Sequence, residues 1–193
     1  MTHMAPSVHA ALAGHLANPA RFHEHIDVTV SQPATGGLGI RYAIRGLNLD
    51  LRVPTPHAPA PANALWRHTC CEVFISQAGG TPYREFNFSP SGQWAAYDFL
   101  DYRQPVPGTV SCPAPDIQVS RTENLLQLDV MLAEAALPAA GKLHLALAVV
   151  LEAGDGRLGY WALAHPAGKP DFHHHAGFVL SLGPTGFRPS HWP

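Results

Sequence analysis

The chain has 193 residues, 46% of them hydrophobic and 13% charged, which suits one domain with a sizeable core and excludes an intrinsically disordered polymer. Its 12 Lys and Arg against 14 Asp and Glu leave a net charge of −2 with no basic stripe, so nucleic acid is not an expected partner. The 13 His beside a pI near 6.7 mean that mild acidification adds positive charge across the surface.

No Lys or Arg precedes Arg21, and no apolar stretch of signal-peptide length follows, so secretion is not expected. Residues 7–18 read as a short helix, with Leu12 and Leu16 four apart, or equally as an ordered arm within residues 1–25. Strands are expected at 26–31 and 38–45; in the second, Leu38, Ile40, Tyr42 and Ile44 alternate inward while Arg41 and Arg45 face out. Residues 53–63, with Pro54, Pro56, Pro59 and Pro61, read as a stiff surface connection.

A strand at 70–76 follows. Its parity sets Cys71, Val73 and Ile75 on one apolar face and, if the extended run holds without a bulge, Trp66, His68 and Glu72 together on the other. Cys70 and Cys71 then point to opposite faces, and three Cys cannot all pair, so reduced thiols in a cytoplasm are expected.

Strands at 83–88 and 93–99 flank Ser89-Pro90-Ser91-Gly92, a turn with Pro90 at its second position and Gly92 closing it. Counting outward from that turn pairs Asn87 with Trp94, Glu85 with Ala96 and Tyr83 with Asp98, so Glu85, Asn87 and Trp94 share a side. Residues 104–115, with four prolines, form a second stiff connection. Strands at 117–121, 125–132, 143–152, 158–163 and 178–182 complete an all-β chain. The richest apolar run, 143–151, is interrupted by His144 and is strand-sized, so a membrane span is not expected. After Tyr160-Trp161 a rigid loop carries Lys169 and Asp171, which either clamp a ligand or pair with each other in solvent, and then His173, His174 and His175.

An aromatic plate beside amide and carboxylate groups can stack on the C–H face of a sugar while the polar groups take its hydroxyls, so a small carbohydrate is the expected ligand. The alternative is an interior network in which Glu, Asn and His satisfy one another and the indoles are core or rim aromatics.

Leu65-Trp66-Arg67-His68-Thr69-Cys70, Tyr83-Arg84-Glu85-Phe86-Asn87-Phe88-Ser89-Pro90-Ser91-Gly92, Trp94-Ala95-Ala96-Tyr97, Tyr160-Trp161-Ala162-Leu163 with His165-Pro166, and Gly168-Lys169-Pro170-Asp171-Phe172-His173-His174 occur in that order. This series resembles the bacterial DOMON-like domains, relatives of the family 9 carbohydrate-binding modules. The resemblance spans most of the chain and implies an immunoglobulin-like antiparallel β-sandwich of two sheets, a single domain over 1–193. The wider superfamily includes sugar binders and haem binders, and the resemblance implies no catalytic residue. One departure falls at Cys71, where related sequences usually carry a large apolar residue, which bears on packing. The combined expectation is a non-catalytic, cofactor-free binding domain whose ligand residues are Trp66, His68, Glu72, Tyr83, Glu85, Asn87, Trp94, Trp161, Lys169, Asp171 and His173.

Rival readings rest on particular residues. Non-covalent haem would use Met131 with His68 or His173 as axial ligands, since no C-x-x-C-H attachment signal occurs. A metal would use His173, His174 and His175, and a sugar hydrolase would use Glu72 and Glu85 as a carboxylate pair. Exposed strand edges also fit a self-associating or partner-binding protein. No H-E-x-x-H, G-x-S-x-G, phosphate-loop or dinucleotide motif is present, so no enzyme class is expected from motifs alone.

Overall fold

The computed structural model describes residues 6–19, 22–46, 50–108, 110–138, 141–183 and 186–189. Residues 1–5 and 20–21 of the expected amino-terminal helix or arm lie outside them.

Among the described residues the chain is all-β and antiparallel. Its strands are β1 Ser7–Gly14, β2 His25–Ser31, β3 Leu38–Arg45, β4 Cys70–Gln77, β5 Tyr83–Phe88, β6 Trp94–Asp101 and β7 Gln104–Pro105, then β8 Asp116–Arg121, β9 Leu125–Leu132, β10 Leu143–Glu152, β11 Leu158–Ala162, β12 Leu180–Gly183 and β13 Gly186–Pro189. They pair in the order β7-β6-β5-β4-β10-β11-β1-β2-β3-β9-β8, with β12 joining β10 and β13. Helical structure is confined to one-turn 3-10 segments such as Leu65–Arg67 and His175–Gly177.

Strand β1 links the two halves of this order, because residues 7–12 pair with β2 while Ala13 and Gly14 pair with β11. The main core draws from both halves: Ile26, Val28, Leu38, Ile40, Tyr42, Ile44, Leu126 and Leu128 meet Cys71, Val73, Ile75, Phe86, Phe88, Leu145, Leu147 and Val149. Each such side chain taken fully out of water contributes roughly 1.5–3 kcal/mol. Tyr42 ties the halves together by donating its hydroxyl to the backbone carbonyl of Glu72, 2.8 Å away and buried.

The alternation in β3 falls as the sequence predicts, with Leu38, Ile40, Tyr42 and Ile44 buried and Arg41 and Arg45 exposed. Residues 7–18 do not form a helix. Val8, Ala10 and Leu12 turn toward the core as alternate residues of β1, while Leu16, four beyond Leu12, is fully exposed. Six cross-strand pairs with β2 outweigh the helical preference of an alanine-rich segment. The proline-rich stretch 53–63 docks along the start of β6, where Trp94 N–H donates to Ala60 O and Ala62 N–H to Trp94 O. The second proline-rich connection opens with β7, a two-residue strand where the proline content predicts a loop.

Candidate functional site

Strand β4 has two faces. Cys71, Val73 and Ile75 enter the main core, and Cys70, Glu72 and Phe74 turn to the other side. Register carries that second face across the neighbours: Glu72 opposes Asn87 and Ala148, Glu85 opposes Phe74 and Tyr97, and Cys70 opposes Val150, which in turn opposes Tyr160. Part of this face is covered. Phe178, from the loop after β11, packs on Phe74, Tyr83, Ala146, Ala148 and Ala162 in a second apolar cluster. Where the covering stops, a cavity of about 480 Å³ opens.

The floor of the cavity holds two carboxylates. Glu72 and Glu85 are 3% and 4% exposed, and both line it. Glu85 Oε1 accepts a 2.5 Å hydrogen bond from Asn87 Nδ2, and the Cys70 thiol donates to Asn87 Oδ1 at 3.4 Å, which fixes the amide. Glu72 Oε1 is buried and has no hydrogen-bond partner among the described residues. Burial, and then the Glu85 carboxylate beside it, push the Glu72 carboxyl well above the usual carboxylate range. Burial pushes Glu85 up to about 7, against the pull of Asn87 and Arg103.

Aromatic and basic groups make the walls. Tyr97 and Phe99 come from β6, Tyr160 from β11, Phe172 and His173 from the loop, and Trp66 from the 3-10 turn before β4. His173 Nδ1 lies 2.8 Å from Tyr83 Oη, which accepts the Arg103 backbone N–H. The Tyr83–Nδ1 bond holds the ring so that Nε2 lies 3.8 Å from Glu85 Oε2, too far for a direct hydrogen bond. Burial, and then Arg103, push His173 down to about 4, so the imidazole is neutral at pH 7. Arg103, left-handed at φ 52, also lines the cavity, with its guanidinium on Asp171 at 2.9 Å. Asp171 in turn accepts from Tyr102 Oη at 2.6 Å; burial raises its pKa, yet these partners hold it below its ordinary value.

The structure thus brings together Trp66, Glu72, Glu85 and His173 at one cavity and sets Tyr83, Asn87 and Asp171 behind them as supports. Four other expected residues lie elsewhere. Trp94, 7% exposed, belongs to the main core, because it opposes Phe88 and not Asn87. Ser89 pairs with Gln93 across a three-residue loop in which Gly92 takes φ 90, and that added residue shifts the pairing by one and turns Trp94 over. Trp161, 4% exposed, packs edge-on against Phe22 in the same core. The strand does not extend back through 65–67, so His68 leaves the face of Glu72 and binds Glu152 at 2.7 Å instead. Lys169 is exposed and is not the partner of Asp171, whose cation is Arg103.

Met131 sits on the outward parity of β9 in a separate groove with Thr29, Arg41 and Asp129, so it joins neither His68 nor His173. His173, His174 and His175 do not converge: His173 faces the cavity, while His174 Nδ1 caps Ala176 N–H. Among the described residues no group of three or more His, Cys, Asp or Glu is placed to hold a metal ion. Nor is any helix among them long and apolar enough to cross a membrane.

Sequence reasoning missed Tyr97, Phe99, Arg103, Tyr160 and Phe172 as lining residues. The correct hairpin register finds Tyr97 and Phe99, and strand parity from Val150 finds Tyr160. No sequence signal marks Arg103.

No family model matches this chain, and no curated protein matches it. Among solved structures it is similar to a putative carbohydrate-binding protein from Bacteroides uniformis ATCC 8492, at 14% identity and a TM-score of 0.59, over 89% of this chain and 84% of that one. At that identity the likeness is one of fold.

Proposed function

We propose that this chain is a non-catalytic binding protein whose ligand, a small carbohydrate, occupies the cavity over β4, β5 and β6, on a two-sheet immunoglobulin-like sandwich of the DOMON and family 9 carbohydrate-binding module kind. The observation that carries this reading is the convergence of aromatic faces and two buried carboxylates on one cavity of about 480 Å³. That volume lies within the range of pre-formed small-molecule sites, which mix apolar walls with a few placed polar groups. Sugar hydroxyls donate to Glu72 Oε1 and Glu85, and Trp66 and Tyr97 offer flat surfaces to the ring's C–H face. The fold-level likeness to a protein described as carbohydrate-binding supports the same reading.

Titration calorimetry with a panel of mono- and disaccharides tests it. Trp66→Ala and Tyr97→Ala are expected to weaken the bound sugar about three- to tenfold each, as for loss of one aromatic contact. Affinity unchanged in both variants, or no heat with any sugar, rejects the site.

A second reading, sugar hydrolysis, is favoured by one observation, the buried acidic pair lining one cavity with Glu85 raised to about 7. It requires turnover of an aryl glycoside that Glu72→Gln and Glu85→Gln abolish; absence of turnover in the unmodified chain removes it.

A further inference from the structure

The carboxylate pair asks for more than hydroxyl groups. Glu72 and Glu85 lie diagonally on adjacent antiparallel strands, since Glu72 opposes Asn87 and Glu85 opposes Phe74. Two buried carboxyls that repel each other across one cavity ionise together only at a high cost unless a positive charge is added. The basic groups lining the cavity supply it only in part, since the pull of Arg103 leaves Glu85 still raised to about 7. Arg103 is matched by Asp171 and Tyr102, and His173 is neutral at pH 7 with its Nδ1 occupied by Tyr83. Glu72 Oε1 therefore stays buried, lining the cavity and without a hydrogen-bond partner among the described residues.

A neutral hydroxyl satisfies that oxygen but leaves the charge problem as it was. A primary ammonium resolves both, because it carries three donors and a full positive charge and is attracted to aromatic faces such as those of Tyr97, Phe99 and Tyr160. We infer that the group recognised at the floor of this cavity is a protonated amine seated between Glu72 and Glu85, so that the preferred ligand is an amino sugar with a free amino group. The sugar half of that statement rests on the reading above; the ammonium half rests on the two carboxylates alone.

Binding then couples to protons. The groups facing the pair are Arg103 and His173 from the loops, Tyr97 from β6, Asn87 and Tyr83 from β5, and Cys70 on β4, with Asp171 behind Arg103. Burial, which pushes Glu85 up to about 7, leaves it partly protonated at neutral pH, and an incoming cation displaces that proton, so amine binding releases protons.

The experiment is calorimetry on the full chain at pH 7 with glucosamine, glucose, N-acetylglucosamine and cyclohexylamine, repeated in two buffers of different ionisation heat. Glucosamine is expected to bind at least about tenfold more tightly than glucose or N-acetylglucosamine, the difference a charge-assisted hydrogen bond supplies. Its apparent heat is expected to change with buffer, and Glu72→Gln and Glu85→Gln are each expected to erase the preference. The buffer dependence is read on the unmodified chain and so does not depend on either variant folding. Equal affinity for the three sugars, with no buffer dependence, overturns the ammonium assignment and leaves the sugar reading standing. Binding of cyclohexylamine and glucosamine alike, with no heat from glucose or N-acetylglucosamine, supports the ammonium and overturns the sugar. No heat from any of the four overturns both.

Discussion

Trp66 and Trp94 show how one side-chain type takes opposite roles in this chain. Trp66 is 47% exposed at the cavity mouth, with the Arg67 guanidinium 5.2 Å from its ring, whereas Trp94 is sealed in the main core. Replacing Trp94 by Ala removes a large buried ring and leaves a void, so it is expected to destabilise the fold by roughly 3–5 kcal/mol in urea unfolding. Trp66→Ala at the surface is expected to stay within about 0.5 kcal/mol while weakening ligand. A Trp94→Ala variant as stable as the parent would show that the ring is not in the core.

The elements that were legible in the sequence are those whose burial pattern is written locally. Strands at 38–45, 83–88, 125–132 and 143–152 form with the predicted bounds, because each is an alternating or continuous apolar run of strand length. Strands β1, β7 and β13 were not legible: β1 is alanine-rich, β7 is two residues inside a proline-rich stretch, and β13 depends on pairing with β12. The site was half legible for the same reason. Parity within β4 and β5 alone finds Glu72 and Glu85, but the aromatic wall depends on which residue of β6 lies opposite, and a one-residue error in the loop hid Tyr97 and Phe99. Gly92 sets that register. At φ 90 an L-residue is strained by roughly 1–2 kcal/mol, and a Cβ there would come within 3.2 Å of the His57 carbonyl oxygen. Gly92→Ala is therefore expected to lower stability by at least about 1 kcal/mol in thermal or urea unfolding, and a neutral result would mean that the loop does not need its left-handed residue.

Across the molecule, the buried acids and the buried imidazole tie stability to pH in opposite senses. Glu85 is raised from 4.5 to about 7 by burial, so between those values the folded chain keeps a proton that the unfolded chain has lost. Its stabilising share is complete below about 4.5 and is lost as pH rises through 7; Glu72, raised by burial and then by Glu85, contributes with the same sign. His173 is lowered from 6.5 to about 4 by burial and then by Arg103, so the unfolded chain gains a proton that the folded chain refuses, and stability is lost as pH falls from 6.5 toward 4. The two slopes oppose each other across pH 4.5–6.5, and single variants separate them. The stability of the parent relative to Glu85→Gln is expected to fall by about 2 kcal/mol between pH 5 and pH 7 in urea unfolding, from integrating a shift of this size. Relative to His173→Gln the sign reverses, and the parent is expected to lose about 2 kcal/mol between pH 7 and pH 5. Parallel pH profiles for the parent and Glu85→Gln would mean that Glu85 is solvated, and a solvated carboxylate would remove the ground for the proposed cation.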